Sequence, residues 1–427
     1  MPKLPSPVEA YNIADLREHA RRVLPRGLFE FVDRGTEDEH GLAANRAAFE
    51  RIRFRPNVLV DVSKRSAATT LFGQPSTMPV VVAPTGAAGL LWLDGEIEVA
   101  RAARKAGIPF TLSTASIVSM ERVAAEAGGR LWFQLYMWPD PEMSYRLVDR
   151  VQAAGYEALM VTVDTVATPN REYNPRNGFS LPMRISRRNA IDVAMHPRWF
   201  LNVFARYLMR SGIPMLENYP EELRVKLTAD PKRKGGLPKN DSLDWDDLRD
   251  LRRRWKGPLM IKGILHPDDA ARAVDCGVDA VIVSNHGGRN LDAASPTIDA
   301  LPAIVDRVGG RCDVMLDSGV RRGSDVAKAV ALGAKAVMVG RAPLYGVAAA
   351  GETGAGQALH FLHDELLRVM GFLGCTSIDE LGARILEPAT GRGDAPSPAA
   401  PIRAPRPIAE PAAATASVHV LAAGKPA

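Results

Sequence analysis

The chain has 427 residues, of which 46% are hydrophobic and 24% charged, and its formal net charge is +5 at pH 7. This composition is typical of a globular protein, with length for one large domain or two ordinary ones. No run of about 18 uncharged apolar residues occurs and the first residues lack the apolar core of a signal peptide, so we expect a cytoplasmic location. Its three cysteines lack metal-ligand spacing, and we expect no bound metal.

From residue 80 onward, short β-branched runs alternate with longer amphipathic stretches, a pattern typical of parallel strands covered by helices. Eight strands are predicted: Val80–Pro84, Pro109–Ser113, Leu131–Tyr136, Ala158–Asp164, Pro258–Gly263, Ala280–Asn285, Asp313–Gly319 and Ala336–Gly340. No G-x-G-x-x-G turn follows the first strand, which disfavours an open doubly wound sheet. We therefore predict an α/β protein with a (β/α)8 TIM barrel and an active site at the C-terminal ends of its strands.

Three segments lie outside this repeat. Residues 1–79 predict helices around Ile13–Val23 and Gly27–Gly35, then an extended stretch, all packing on a barrel domain of residues 80–389. A long insertion at 165–241 follows the fourth strand, and its length predicts either a function or mobility. The Pro- and Ala-rich end, residues 390–427, predicts a disordered tail.

Polar side chains follow several predicted strands. They are Tyr136 after the third, Asp164 and Arg171 after the fourth, Lys262 in the fifth, and His286 and Arg289 in the SNHGGRNLD segment (284–292) after the sixth. A histidine at a barrel end can be purely structural. Here a base, a carboxylate, a phenol and three cations at one mouth instead favour a site that removes a proton from an anionic substrate.

Two glycine- and arginine-containing turns predict a phosphate site. DSGVRRGSD (317–325) follows the seventh strand and VGRAP (339–343) follows the eighth, and these loops commonly bind phosphate in barrels. Arg321 and Arg341 supply positive charge there. Together with Lys262 across the mouth, they indicate FMN, whose reduced ring carries negative charge that an ammonium stabilises.

From about Ile13 to Pro388 the sequence resembles the FMN-dependent L-2-hydroxy acid oxidase and dehydrogenase family. The motifs that carry this resemblance are APTG at 83–86, LST at 112–114, FQLY at 133–136 and TVD at 162–164. The mandelate dehydrogenase branch is the most similar, through LSTAS at 112–116, HPRW at 196–199 and GRAPLYG at 340–346. The resemblance implies oxidation of an L-2-hydroxy acid to the 2-oxo acid with FMN as cofactor.

The resemblance also implies a role for each matching residue. His286 would be the base, paired with Asp164. Arg171 and Arg289 would bind the substrate carboxylate, Tyr136 would contact the substrate, and Lys262 would stabilise the reduced flavin. The other positions implied to contact the cofactor are Pro84, Thr85, Gly86, Ser113, Gln134, Thr162, Ser284, Asp317, Gly319, Arg321, Gly340 and Arg341.

Two further positions bear on the substrate. Ala115 stands where glycolate-oxidising relatives carry tryptophan, which implies a wider pocket and a bulky or aromatic, mandelate-like substrate. Phe31 stands where the family has a tyrosine whose hydroxyl contacts the substrate carboxylate. Losing a charge-assisted hydrogen bond removes about 1.5–3 kcal/mol. Either the enzyme tolerates this loss, or its substrate differs near the carboxylate.

Residues 197–210 in the insertion predict an amphipathic helix, with an arginine-rich face (Arg198, Asn202, Arg206, Arg210) and an apolar stripe (Phe200, Val203, Phe204, Tyr207, Leu208). The stripe either lies in a membrane interface or packs on the barrel. The resemblance favours the membrane, because the mandelate and lactate dehydrogenases of the family attach to the inner membrane through this insertion and reduce quinone. We therefore expect peripheral contact through residues 186–212 on the inner face of the cell membrane, and a quinone or other electron-transport acceptor.

Several alternatives stay open. Other family members reduce oxygen, so a soluble oxidase is possible, and an isopentenyl diphosphate isomerase-type barrel shares the fold and the flavin but would need a diphosphate site. A purely structural role fits poorly with polar groups at several strand ends. Relatives also imply a homotetramer, and we expect no nucleic-acid partner. The residues leave open whether His286 takes the C2 proton, leaving a carbanion, or the hydroxyl proton during hydride transfer.

Overall fold

The computed structural model describes residues 8–179, 187–224, 226 and 240–387. The strands in these ranges are Thr69–Leu71 (β1), Gln74–Ser76 (β2), Val80–Thr85 (β3), Phe110–Ser113 (β4), Leu131–Leu135 (β5), Ala158–Thr162 (β6), Leu259–Ile264 (β7), Ala280–Val283 (β8), Asp313–Leu316 (β9) and Ala336–Val339 (β10). Strands β3 to β10 form a closed parallel barrel in chain order, with β10 paired back onto β3. The predicted (β/α)8 barrel is confirmed.

Helices cover the barrel and fill the N-terminal segment and the insertion. Their bounds are Ile13–Val23 (α1), Arg26–Asp33 (α2), His40–Arg51 (α3), Gly95–Lys105 (α4), Met120–Glu126 (α5), Pro141–Ala153 (α6), Tyr173–Asn177 (α7), Arg187–Ala194 (α8), Pro197–Trp199 (α9), Ala205–Arg210 (α10), Trp245–Arg254 (α11), Pro267–Asp275 (α12), Thr297–Val308 (α13), Gly323–Ala331 (α14) and Arg341–Leu373 (α15). Helix α15 is interrupted at Ala350 and Gly351, whose backbone angles are not helical.

Three predicted strands were too long by two or three residues at their C-terminal ends. Asp164, Asn285 and Gly319 lie in the loops after β6, β8 and β9. The backbone turns at two of these places, because His286 has φ of 57° and Ser318 has φ of 76°, which no strand allows. The chemistry-bearing residues therefore sit on turns immediately beyond the sheet.

The extended stretch predicted after residue 35 was wrong for residues 40–51, which form α3. Helix α3 buries Gly41, Asn45, Ala48 and Phe49. Small and polar residues make up most of that buried face, so the sequence shows no apolar period of 3.6 there.

The interior of the barrel is filled with side chains up to the active-site end. Trp132, Met160, Met260 and Met338 lie in one buried apolar cluster. The β1–β2 hairpin closes the opposite end, since Phe72 packs on Trp132 with ring centroids 5.3 Å apart. The open end of the barrel interior therefore lies at the C-terminal ends of the strands, where parallel barrels place their active sites.

Residues 197–210 are helical throughout, but a π-helical stretch at Phe200–Phe204 joins α9 to α10. This wider turn splits the predicted apolar stripe into two surfaces. Trp199, Val203 and Tyr207 are buried, while Leu201 is 60% exposed and Met209 79%. The tail at 390–427 and residues 180–186, 225 and 227–239 of the insertion lie outside the described residues.

Candidate active site

A cavity of about 460 Å³ lies at the C-terminal ends of the barrel strands. Its lining includes most of the residues predicted from the sequence: Phe31, Pro84, Thr85, Gly86, Ser113, Ala115, Tyr136, Thr162, Arg171, Lys262, His286, Arg289, Asp317, Gly319, Arg321, Gly340 and Arg341. The other three lie behind the lining and are hydrogen-bonded to it: Asp164 to His286, Gln134 to Ser113, and Ser284 to Lys262. The structure thus brings the whole predicted set together.

The side chains of His286 and Asp164 are hydrogen-bonded to each other. Nδ1 of His286 lies 2.9 Å from Oδ1 of Asp164, across 122 residues of sequence. Burial opposes ionisation of Asp164, but the charge of His286 and its hydrogen bond outweigh burial and lower the pKa of this carboxyl. An ionised carboxylate can only accept, so Nδ1 of His286 carries the hydrogen and Nε2 of the neutral ring has the free lone pair.

Burial lowers the pKa of His286 below its usual value despite the opposing charge of Asp164. The positive charges of Lys262 and Arg171 contribute in the same direction as burial. The imidazole is therefore neutral near pH 7 and can act as a base without first losing a proton.

The turn that carries His286 is fixed by hydrogen bonds that the sequence did not reveal. The backbone N–H of His286 donates to Ser284 Oγ at 3.1 Å, and that of Gly287 donates to Ser318 Oγ at 2.9 Å. Beneath it, the side-chain amides of Asn45 and Asn285 donate to each other at 3.0 and 2.9 Å. Asn45 lies on α3, so the helix missed from the sequence supports the turn that carries His286.

Lys262 is 4% exposed and its Nζ lies 2.7 Å from Oδ2 of Asp317. Burial alone would lower the pKa of Lys262, but the charges of Asp317 and then Asp164 outweigh it and raise this pKa. The ammonium also donates to Ser284 Oγ at 2.8 Å. Lys262 is therefore a fixed positive charge in the wall of the cavity.

Arg171 and Arg289 have no carboxylate partner within the described part of the chain. Arg171 donates to the backbone carbonyl of Arg289 at 3.2 Å, and Arg289 donates to that of Arg34 at 2.9 Å. Burial lowers the pKa of Arg289 to about 10, and the charge of Arg171 adds to the effect. Burial likewise lowers the pKa of Arg171. Two partly buried cations side by side, each without a counter-ion among the described residues, make a receptor for an anion such as a carboxylate.

The two arginines of the predicted phosphate site differ in their contacts. Arg341 donates through Nε, Nη1 and Nη2 to the carbonyls of Val32, Gly287 and Arg34 at 3.0–3.1 Å. The guanidinium of Arg321 makes one hydrogen bond among the described residues, from Nη1 to the Val320 carbonyl at 2.7 Å. Burial lowers the pKa of both arginines. Arg321 thus keeps more free donors for a bound anion.

The donor set of the cavity fits a flavin phosphate cofactor. Free guanidinium N–H groups at Arg321 match a phosphate, and the Lys262 ammonium matches an electron-rich ring. Deeper in the mouth, the Gln134 Nε2 and Thr162 Oγ1 atoms are buried with no hydrogen-bond partner in the described ranges. Buried groups of this kind are normally paired, and the carbonyl and imide groups of an isoalloxazine ring are suitable partners.

Sequence reasoning missed part of the cavity wall, contributed by the loop after β5 and by the insertion. Trp138, Phe179, Tyr219, Asn240 and Leu243 all line the cavity. The rings of Trp138 and Tyr219 meet edge to face with centroids 4.8 Å apart, and Asn240 Nδ2 donates to the Trp138 carbonyl at 3.2 Å. The insertion has no periodic pattern at these positions, so only its aromatic content could have indicated them.

The model of the FMN-dependent dehydrogenase family matches residues 20–388. The chain belongs to this family. It is 40% identical over 377 residues to the (S)-mandelate dehydrogenase of Pseudomonas putida, a match that covers 88% of this chain and 94% of that protein. It is also 38% identical over 391 residues to an L-lactate oxidase of Nostoc sp., covering 90% and 100% of the two chains.

Among solved structures, the crystal structure of the monotopic membrane protein (S)-mandelate dehydrogenase superposes with a TM-score of 0.81. The two sequences are 39% identical, and the match covers 89% of this chain and all of that one. Membership of the family makes this protein an FMN-dependent oxidoreductase, and FMN is its cofactor.

Proposed function

We propose that the protein oxidises an L-2-hydroxy acid with a bulky or aromatic side chain to the corresponding 2-oxo acid. The observation that carries this proposal is that His286, whose Nδ1 lies 2.9 Å from Oδ1 of Asp164, lines one cavity with Arg171 and Arg289. A base beside two partly buried guanidinium groups suits a substrate that carries a carboxylate next to the carbon being oxidised.

His286 accepts a proton from the substrate at Nε2, and the ring becomes an imidazolium. Asp164 stabilises that charge through the hydrogen bond at Nδ1. FMN, when bound, accepts the two electrons that leave the substrate. Either proton of the substrate, on C2 or on the hydroxyl, suits this arrangement.

Arg171 and Arg289 bind the substrate carboxylate in this proposal, and Lys262 and Arg321 hold the cofactor. Lys262 would lie by the flavin ring and Arg321 would bind the phosphate. Tyr136 lines the same cavity, and burial, followed by the charge of Asp164, raises the pKa of its phenol. The phenol therefore stays protonated and can donate a hydrogen bond to a substrate oxygen.

Two small residues in the cavity lining support an aromatic substrate over a small one. Ala115 and Gly86 face each other in the lining, and a Cβ built on Gly86 would lie 3.2 Å from that of Ala115. The (S)-mandelate dehydrogenase relative supports the same assignment. The L-lactate oxidase relative keeps a smaller hydroxy acid as the second candidate.

Anaerobic bleaching of the flavin absorption by a panel of 2-hydroxy acids tests this proposal. We expect rapid bleaching by the L enantiomers of aromatic members, slower bleaching by lactate and none by the D enantiomers. His286→Ala should keep FMN bound but lose the bleaching, which separates chemistry from cofactor binding. Absence of bleaching by every member of the panel would contradict the proposal.

We further propose that the insertion attaches the protein to an anionic membrane, where a quinone accepts the electrons. Helices α8 to α10 expose Ile191, Met195, Leu201, Leu208 and Met209 to solvent. Exposed arginines (Arg187, Arg188, Arg198 and Arg206) lie on the same segments. An apolar surface edged by arginines suits a membrane interface, and a structural relative is described as monotopic. None of the helices in the described ranges could span a membrane.

Point substitutions test this attachment better than a deletion of residues 186–212, because that deletion would also remove the buried Trp199, Val203 and Tyr207. With vesicles of anionic phospholipid, we expect Leu201→Ser/Met209→Ser to abolish sedimentation at any salt concentration. The matched pair Arg198→Gln/Arg206→Gln should weaken it mainly at low salt, where charge is least screened. Protein that stays in the supernatant and whose reduced flavin reacts rapidly with oxygen would identify a soluble oxidase instead.

A further inference from the structure

The loop between β3 and α4, residues 86–94, joins the cavity to the helical part of the insertion. Its first residue, Gly86, lines the cavity together with Thr85 at the end of β3. The backbone N–H of Ala87 donates to the carbonyl of Ala115, another lining residue, at 3.1 Å. The position of this loop therefore determines the shape of one wall of the cavity.

The loop holds an unfavourable backbone conformation at both ends. Ala87 has φ of 58° and Asp94 has φ of 55°, values that residues other than glycine seldom adopt. Such residues persist only where surrounding contacts hold them. The contacts that keep Ala87 and Asp94 in this conformation therefore determine the position of the loop.

On the barrel side, Glu96 stabilises the loop through hydrogen bonds. It is buried, and its carboxylate accepts hydrogen bonds from the backbone of Ile117, at 3.2 Å, and of Gly89. This contact joins the loop to the segment after β4. It does not reach the outer side of the loop.

On the outer side, the hold comes from the helices at 197–210. The indole N–H of Trp199 donates to the carbonyl of Leu90 at 2.7 Å, and the hydroxyl of Tyr207 accepts from the backbone N–H of Asp94 at 2.9 Å. Nη1 of Arg210 lies 2.7 Å from Oδ2 of Asp94. Trp199 is 4% exposed and Tyr207 5%, so both hydrogen bonds are shielded from water.

A continuous series of hydrogen bonds runs from this helix to the cavity wall. Trp199 donates to Leu90, the backbone N–H of Leu90 donates to the carbonyl of Ala87 at 3.0 Å, and Ala87 donates to Ala115. The helix that exposes Leu201 and Met209 thus holds the loop at Gly86 through its opposite face.

We propose that Trp199 and Tyr207 are positioning residues for the flavin: they fix the 86–94 loop, and through it the cavity wall formed by Thr85, Gly86 and Ala115. The helix at 197–210, which we propose contacts the membrane, is then structurally coupled to the flavin site. The inference rests on the proposed placement of FMN in the cavity. It is independent of which hydroxy acid or electron acceptor the protein uses.

The test removes the two hydrogen bonds without removing the rings. In Trp199→Phe/Tyr207→Phe, we expect folded protein whose bound flavin has a shifted visible spectrum and midpoint potential. The FMN dissociation constant should rise about 2- to 12-fold for each hydrogen bond lost. The matched control removes one indole and one phenol hydrogen bond at buried residues away from the cavity.

Two other aromatic residues supply that control. Trp255 donates its indole N–H to the carbonyl of Pro258 at 2.9 Å, and Tyr156 donates its hydroxyl to that of Met120 at 3.1 Å. Neither residue lines the cavity. Trp255→Phe/Tyr156→Phe should lose comparable thermal stability but keep the wild-type flavin spectrum, potential and affinity. A merely structural role for Trp199 and Tyr207 would give the same result in both pairs.

Identical flavin properties in the two double variants would overturn the proposal. If the first pair fails to fold, Tyr207→Phe alone is compared with Tyr156→Phe. The same flavin spectrum, midpoint potential and FMN affinity in these two single variants would also overturn the proposal. Arg321→Met separates this failure from a wrong placement of FMN. If Arg321→Met also leaves FMN affinity unchanged, the placement is wrong; if only the aromatic pair has no effect, the positioning role is wrong.

Discussion

Replacement of Asp164 by asparagine tests the proposed base most directly. Asp164 Oδ1 lies 2.9 Å from His286 Nδ1, and the two side chains are 15% and 21% exposed, so solvent screens this contact little. When the imidazole accepts a proton, the contact becomes a charge-assisted hydrogen bond to a carboxylate. Its loss costs about 1.5–3 kcal/mol, which corresponds to a reduction rate about 10- to 150-fold lower.

The same substitution should move the pH profile. The base is active when His286 is neutral, so the rate falls as the pH drops through its pKa, which burial already places below the usual value. Asp164 opposes that decrease, and its replacement lowers the pKa of His286 further. We therefore expect the acidic limb of Asp164→Asn to lie at lower pH than that of the wild type, beneath a lower plateau.

Anaerobic stopped-flow bleaching of the flavin at saturating substrate measures both quantities. Asp299→Asn is the matched control, because Asp299 forms a surface ion pair with Arg51 on the outside of the barrel. That variant should reproduce the wild-type plateau and limb. If Asp164→Asn kept the wild-type rate and limb, the carboxylate would not stabilise the imidazolium, and His286 would lose its assignment as the base.

Three further substitutions separate the roles of other cavity residues. Arg321→Met should weaken FMN binding about 10- to 150-fold in a fluorescence titration, because it removes charged donors to the phosphate. Arg341→Met should instead lower the free energy of unfolding by about 3 kcal/mol or more in denaturant titrations, because three charge-assisted hydrogen bonds to backbone carbonyls are lost; equal effects of the two variants on FMN would contradict this division. Phe31→Tyr should lower the KM for the hydroxy acid about tenfold by adding a donor near the carboxylate, and an unchanged KM would place that carboxylate elsewhere. Ala115→Trp should lower the ratio of kcat/KM for aromatic over small substrates about tenfold or more, and an unchanged ratio would exclude Ala115 from the side-chain pocket.

Much of the fold and of the candidate site could be predicted because barrel topology converts sequence position into spatial position. Parallel strands in chain order bring their C-terminal ends to one mouth. Residues as distant in sequence as Thr85 and Arg341 could therefore be assigned to one cavity without any contact being known. The homotetramer and the cytoplasmic location stay predictions.

The contacts inside the site could not be read in the same way. The Lys262–Asp317 ion pair and the Asn45–Asn285 amide pair depend on side-chain directions across 55 and 240 residues. Arg341 stays a predicted cofactor contact, but its turn gave no sign that its guanidinium also donates to three carbonyls of the N-terminal segment and the histidine turn. A sequence motif predicts where the backbone of an arginine lies, whereas the surrounding structure determines what its guanidinium binds.

The helix at 197–210 illustrates a different limit. An ideal period of 3.6 residues places Phe200, Val203, Phe204, Tyr207 and Leu208 on one face, but the π-helical stretch changes that period. The buried set becomes Trp199, Val203 and Tyr207, at spacings of four. One surface therefore packs on the protein, and another faces outward, so membrane contact through the outer surface stays a proposal.

Phe31, which stands where the family has a tyrosine, also has a contact that the sequence alone does not reveal. The guanidinium carbon of Arg289 lies 5.3 Å from the centroid of the Phe31 ring, a distance suited to a cation–π contact. This contact needs the ring and not a hydroxyl. Arg289 is further held by its hydrogen bond to the Arg34 carbonyl at 2.9 Å. The phenylalanine therefore lacks the hydroxyl that the family resemblance implies as a substrate contact, while Arg289, which we propose binds the carboxylate, keeps these two contacts, so we expect the substitution to affect affinity and not the proposed reaction.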